Sequence, residues 1–141
     1  MKTKIWRAAN LLMLLLFLFS VVVQYNDPDP LLWVAIYALA ALACLQELVW
    51  RDQPLILPAV VGAITLIWAI SLLPGVVGKV RIADLFAEFE MKGDLAIEVA
   101  REAGGLLIVA VWMQAIVIKR MLDRRHSSPS SRADITRDVR G

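Results

Sequence analysis

One histidine, His126, and one cysteine, Cys44, are the whole supply of imidazole and thiol among 141 residues. No intrachain disulfide can form, and a zinc or haem site built on imidazole is argued against. Glycine numbers only seven and forms no phosphate-cradling loop, and no Gly-x-Ser-x-Gly elbow occurs. The recognisable catalytic constellations are therefore missing, and the expectation is a protein that is not an enzyme, with no catalytic residue, metal or cofactor. Charge is scarce too, at 20% of residues with a formal net of +2. What fills the chain instead is apolar: 60% hydrophobic residues and a mean hydropathy of +0.68, more than a soluble domain of this size can bury.

The apolar residues fall into four stretches, about 5–23, 31–50, 55–73 and 103–118. A helix rises about 1.5 Å per residue and the hydrocarbon core is roughly 30 Å thick, so about 20 residues span it. The first three stretches reach that length. The fourth has 16 uncharged residues and must borrow from its flanks. Lipid offers no partner to a bare N–H or C=O, which leaves helices as the spanning structure. The first stretch has the basic start of a signal peptide, but its apolar run continues through Val23 without an Ala-x-Ala-like site. A retained helix is expected.

The fold predicted is all-α: a polytopic membrane protein of four transmembrane helices, about 5–24, 31–50, 55–73 and 95–121. A short interfacial helix at about 81–90 is added, because Ile82, Leu85, Phe86 and Phe89 recur at helical spacing. The membrane domain covers 1–122, and 123–141 is expected to be a disordered basic tail. Lys and Arg gather on the cytoplasmic side of membrane proteins. With the N-terminus inside, Lys2, Lys4, Arg7, Arg51, Lys119, Arg120, Arg124, Arg125, Arg132, Arg137 and Arg140 share that side, against Lys79, Arg81, Lys92 and Arg101 opposite. Both termini are expected in the cytoplasm, of a membrane that the residues do not specify.

Local signals add detail. Asp29 before Pro30 reads as a carboxylate cap and a first-turn proline. Pro54 reads as another first-turn proline, Pro58 as a kink, and Pro74-Gly75 as a stop. Trp33, Tyr25 and Trp50 read as an interfacial belt. Ala96, Ala100 and Gly104 form a small-residue stripe that suggests a helix contact. Glu47 and Arg51, four apart, read as a boundary ion pair, Asn10 as an interhelical hydrogen bonder and Tyr37 as packing.

Two polar clusters raise a functional question: Gln24, Asn26, Asp27 and Asp29, and Glu98, Arg101 and Glu102. Both fall at outer helix ends, on one membrane face. A structural network is the first reading, with Asp29 as a cap, Asp27 as a turn former and Arg101 as their partner. A site for a hard cation or a polar lipid headgroup is the second. Acid–base work by Glu98 and Glu102 comes last, since carboxylates four apart are common on solvated faces.

The opening Trp6-Arg7-Ala8-Ala9-Asn10-Leu11-Leu12-Met13, then Val23-Gln24-Tyr25-Asn26-Asp27-Pro28-Asp29-Pro30 with Trp33 and Tyr37, resembles the transmembrane protein 220 family. The stretch from Glu98 to Ile108 with Trp112 is similar to that family's entry into a later helix. The resemblance covers about half of the chain, and it implies a small multi-pass membrane protein without an established activity. It carries over no catalytic residues. The expected function is a non-catalytic membrane protein, a subunit or scaffold of a membrane assembly. A small transporter or ion-binding protein using the outer carboxylates is the first alternative, and a membrane enzyme acting on lipid headgroups the second. The partners implied are the bilayer and other membrane proteins or further copies of the chain, with no nucleic acid and no cofactor.

Overall fold

The long uncharged runs fold into four helices in the computed structural model, which describes residues 2–24, 30–77 and 95–126. They are α1 (Lys2–Val23), α2 (Pro30–Val49), α3 (Ile56–Val76) and α4 (Leu95–His126). Each holds a stretch long and apolar enough to cross a membrane. The expected interfacial helix at 81–90 and the tail beyond 126 lie outside the described residues.

The helix ends follow from local chemistry. Leu55 precedes α3 without a side-chain cap, and Pro58 is the third helical residue. A proline there removes an N–H that has no partner inside the helix anyway, so Pro58, rather than Pro54, is the first-turn proline. It is not a kink inside the helix. The stop expected at Pro74-Gly75 comes just later: α3 runs to Val76, and the Val77 N–H closes on the Leu73 carbonyl at 2.9 Å. α4 continues to His126, past the expected 121, and its 32 residues make a rod about 48 Å long.

Packing is pairwise. α1 lies along α2 and α3 lies along α4, while α2 touches both members of the second pair more lightly. No Cα of α1 approaches within 8 Å of one in α4. Successive helices run in opposite directions: Asn10 meets Cys44, and Gly62 meets Met113 while Gly75 meets Val99.

In lipid the outer faces can be as apolar as the interior, so small and polar residues mark the contacts. In α2 the buried residues Trp33, Ile36, Ala40, Ala43 and Glu47 step by three and four, the spacing of a coiled-coil seam. Trp33 is thus a core residue rather than part of a belt; it stacks on Trp68 at 5.7 Å. Tyr37 packs between Phe17 and Trp33 at 6.3 and 6.2 Å. The buried Thr65 hydroxyl donates to its own helix at Val61 O, 2.8 Å.

Two glycines mark close approach. A Cβ on Gly62 would stand 2.9 Å from Met113 Cβ, and one on Gly105 would stand 2.5 Å from the Tyr37 hydroxyl oxygen. Gly104, expected in the contact stripe, has nothing among the described residues within 4 Å of such a Cβ. The α4 seam instead takes in Ala100, Ala103, Leu106, Ala110, Met113, Ile116 and Arg120.

Candidate functional site

The polar residues that the helices bury converge at one end of the bundle. Glu47, on the last turn of α2, and Arg120, near the end of α4, are both about nineteen-twentieths buried. Each occupies the seam position that follows a run of small or apolar contacts. Arg120 Nε stands 2.7 Å from Glu47 Oε2. That contact does not have the alignment of a hydrogen bond, so these two atoms are paired by charge rather than by a directed bond.

The remaining donors and acceptors complete the arrangement. Arg120 Nη1 donates to the Gln53 carbonyl at 2.7 Å and Nη2 to the Trp50 carbonyl at 3.1 Å. Trp50 and Gln53 lie just past the end of α2, where carbonyls lack helical partners and the helix dipole is negative. Arg120 therefore caps α2 from another helix. Trp6 of α1 donates its indole N–H to Glu47 Oε1 at 3.1 Å, and Arg51 reaches the same oxygen at 3.5 Å. The expected Glu47–Arg51 pair is present, but the closer cation is Arg120.

One turn deeper lies a second element. Asn10, fully buried, donates from Nδ2 to the Cys44 carbonyl at 2.8 Å. Its Oδ1 accepts the Trp112 indole N–H at 3.1 Å. Asn10 thus joins α1 to α2 and α4, as an interhelical hydrogen bonder. Trp112 stacks on Trp6 at 5.4 Å with 13° between the rings, and Lys119 Nζ lies 5.7 Å from the centroid of the Trp6 ring. These large side chains bridge α1 and α4 where their backbones stay apart. At the rim, Asp123 accepts from Lys119 at 2.6 Å and from Arg51 at 3.3 Å.

Of the residues singled out from the sequence, the described ones lie at the opposite end. Gln24 follows α1 and is half-buried; Glu98 and Arg101 are exposed near the start of α4, and Glu102 is half-buried. Asn26, Asp27 and Asp29 lie outside the described residues. Among the described residues no group of His, Cys, Asp and Glu is arranged to hold a metal ion. Sequence reasoning treated Arg120 only as a topology charge, and it did not single out Trp6 and Trp112 as partners of Glu47 and Asn10. The signal was register: Glu47 extends the spacing of Ala40 and Ala43, and Arg120 that of Met113 and Ile116.

With four helices long and apolar enough to cross a bilayer, the chain is a multi-pass integral membrane protein. The family described as "Transmembrane family 220, helix" matches residues 16–118. Transmembrane protein 220 of Xenopus laevis is 30% identical over 116 residues, which cover 79% of this chain and 58% of that protein. The chain thus spans a little over half the length of this relative. No solved structure matches. By the extent of these matches, the chain belongs to the transmembrane 220 family.

Proposed function

We propose that this chain is a non-catalytic subunit or scaffold of a membrane assembly, whose buried polar groups serve to hold four helices in one arrangement. The observation that carries the reading is the environment of Glu47. Its carboxylate receives Trp6 from α1, Arg51 from the α2–α3 connection and Arg120 from α4. A carboxylate that carries protons or grips a ligand needs a coordination position left for its cargo. Here Trp6 and Arg51 donate to Oε1, the Arg120 Nε faces Oε2 at 2.7 Å as a charge contact, and the rest of that guanidinium is turned to cap α2. Such a network serves to select one packing among the many that lipid permits.

The end bearing Glu47 and Arg120 faces the cytoplasm in this reading, because it carries the larger share of Lys and Arg. The test of the assembly role is electrophoresis under native conditions after mild detergent extraction of native membranes. A discrete species larger than the single chain, holding a second protein at fixed stoichiometry, is expected. Quantitative recovery as the lone chain would overturn the proposal.

A further inference from the structure

The end of α4 carries more than Arg120. The uncharged run of α4 stops at Ile118, yet the helix continues for eight residues to His126. At about 1.5 Å per residue that overhang is roughly 12 Å long, enough to pass through the roughly 5–8 Å of headgroup region on one side of a bilayer. Arg124 and Arg125 on it are exposed, and so are Met121 and Leu122, at 53% and 49%. The rim contact between Arg51 and Asp123 brings the end of α2 alongside the same overhang. Trp50, half-exposed, precedes Arg51 there. Lys119 lies one turn back, at 2.6 Å from Asp123. This end of the bundle therefore presents apolar side chains (Trp50, Met121, Leu122) among the cations Arg51, Lys119, Arg124 and Arg125, of which Arg51 and Lys119 pair with Asp123; Lys4 and Arg7 of α1 and the acid Asp52 are exposed at the same end.

We propose that this overhang is a docking surface for anionic phospholipid, its cations over the phosphates and its apolar side chains at the acyl boundary. The chemistry that fits is a bilayer surface. A soluble anion would use the cations but leave Met121, Leu122 and Trp50 in water. A zwitterionic headgroup would leave the basic residues with no net charge to offset. Each cation near an anionic leaflet contributes separately, and the contribution is screened by salt.

The experiment uses the full chain, purified in a mild detergent, and follows its thermal midpoint while phospholipid is added. Phosphatidylglycerol and phosphatidylcholine of identical acyl chains are compared. The expected result is a higher midpoint with phosphatidylglycerol than with phosphatidylcholine, an excess that high salt removes. Arg124→Gln with Arg125→Gln takes away the two exposed cations of the overhang that have no acid beside them in a salt bridge among the described residues, and should reduce the excess. The same positions changed to lysine should keep it, because charge near the surface is what matters. Equal midpoints with the two lipids, an excess unchanged in the glutamine variant, or the same stabilisation by inorganic phosphate alone would each overturn the proposal.

Discussion

Glu47 and Arg120 meet at 2.7 Å from helices that share few other contacts, and each side chain is almost wholly withdrawn from the surface. Two buried charges brought together this way are costly to separate and not costly to lose together. Removing one partner strands the other, at a cost of roughly 3–5 kcal/mol, whereas a well-packed apolar replacement of both is often close to neutral. Glu47→Leu alone and Arg120→Met alone should therefore each destabilise strongly, and the double variant should be less destabilised than the sum. Reversible unfolding in mixed detergent micelles, run as a double-mutant cycle, measures the coupling. Strict additivity would mean that the pair does not act as a unit.

Adjacent glycines give a sharper contrast. A Cβ at Gly105 would meet the Tyr37 hydroxyl, while a Cβ at Gly104 meets nothing among the described residues within 4 Å. Gly105→Ala should cost about 1–3 kcal/mol through overpacking. Gly104→Ala should be neutral or gain up to about 1 kcal/mol, since alanine is the better helix former. Tyr37→Phe, which removes the oxygen in the way, should recover part of the Gly105→Ala loss. Thermal midpoints of the four variants in one detergent decide the matter.

Asn10 is the third test. It takes a hydrogen bond from Trp112 and gives one to Cys44 O, linking α1 with α2 and α4. Interhelical hydrogen bonds in membranes average about 0.6 kcal/mol and reach about 1.7. Asn10→Ala should thus lose on the order of 1 kcal/mol, visible in the same unfolding assay. Trp112→Phe, which removes the N–H donor, should add little further loss in the Asn10→Ala background.

Orientation is open to direct labelling. On a background with Cys44→Ala, single cysteines introduced as Glu98→Cys and Arg124→Cys sit at opposite ends of α4. The first should react with an impermeant maleimide added to intact cells, and the second only after permeabilisation. The reverse pattern would place both termini outside.

Membership of the all-α, four-span class was legible because backbone satisfaction in lipid leaves so few choices. Much less of the interior was. A soluble core announces itself by hydrophobic periodicity, but here the lipid-facing Leu15, Phe19, Ile64 and Ile67 are as apolar as anything inside. The stripe Ala96, Ala100 and Gly104 had the right residue type and the wrong phase at Gly104. Trp33 looked like a boundary aromatic because its place near a helix end says nothing about which face it occupies. Glu47 and Arg120 were read as boundary charges for a similar reason: their nearness to the ends of their apolar runs hid the fact that they extend the seams. The cluster of Gln24, Asn26, Asp27, Asp29, Glu98, Arg101 and Glu102 was chosen for its polarity, and Asn26, Asp27 and Asp29 lie outside the described residues; the polar contacts around Glu47 and Arg120, placed among small residues, were not read from the sequence.

The pairing of α1 with α2 and of α3 with α4 bears on how the molecule is made. A nascent chain delivers its helices to the bilayer in order, so the first hairpin finds its main contact surface before the second exists. Glu47 then waits at the membrane edge with Trp6 and Arg51 as its neighbours until residue 120 has been synthesised. Closure of the Glu47–Arg120 pair is by this logic possible only once α4 has entered the bilayer.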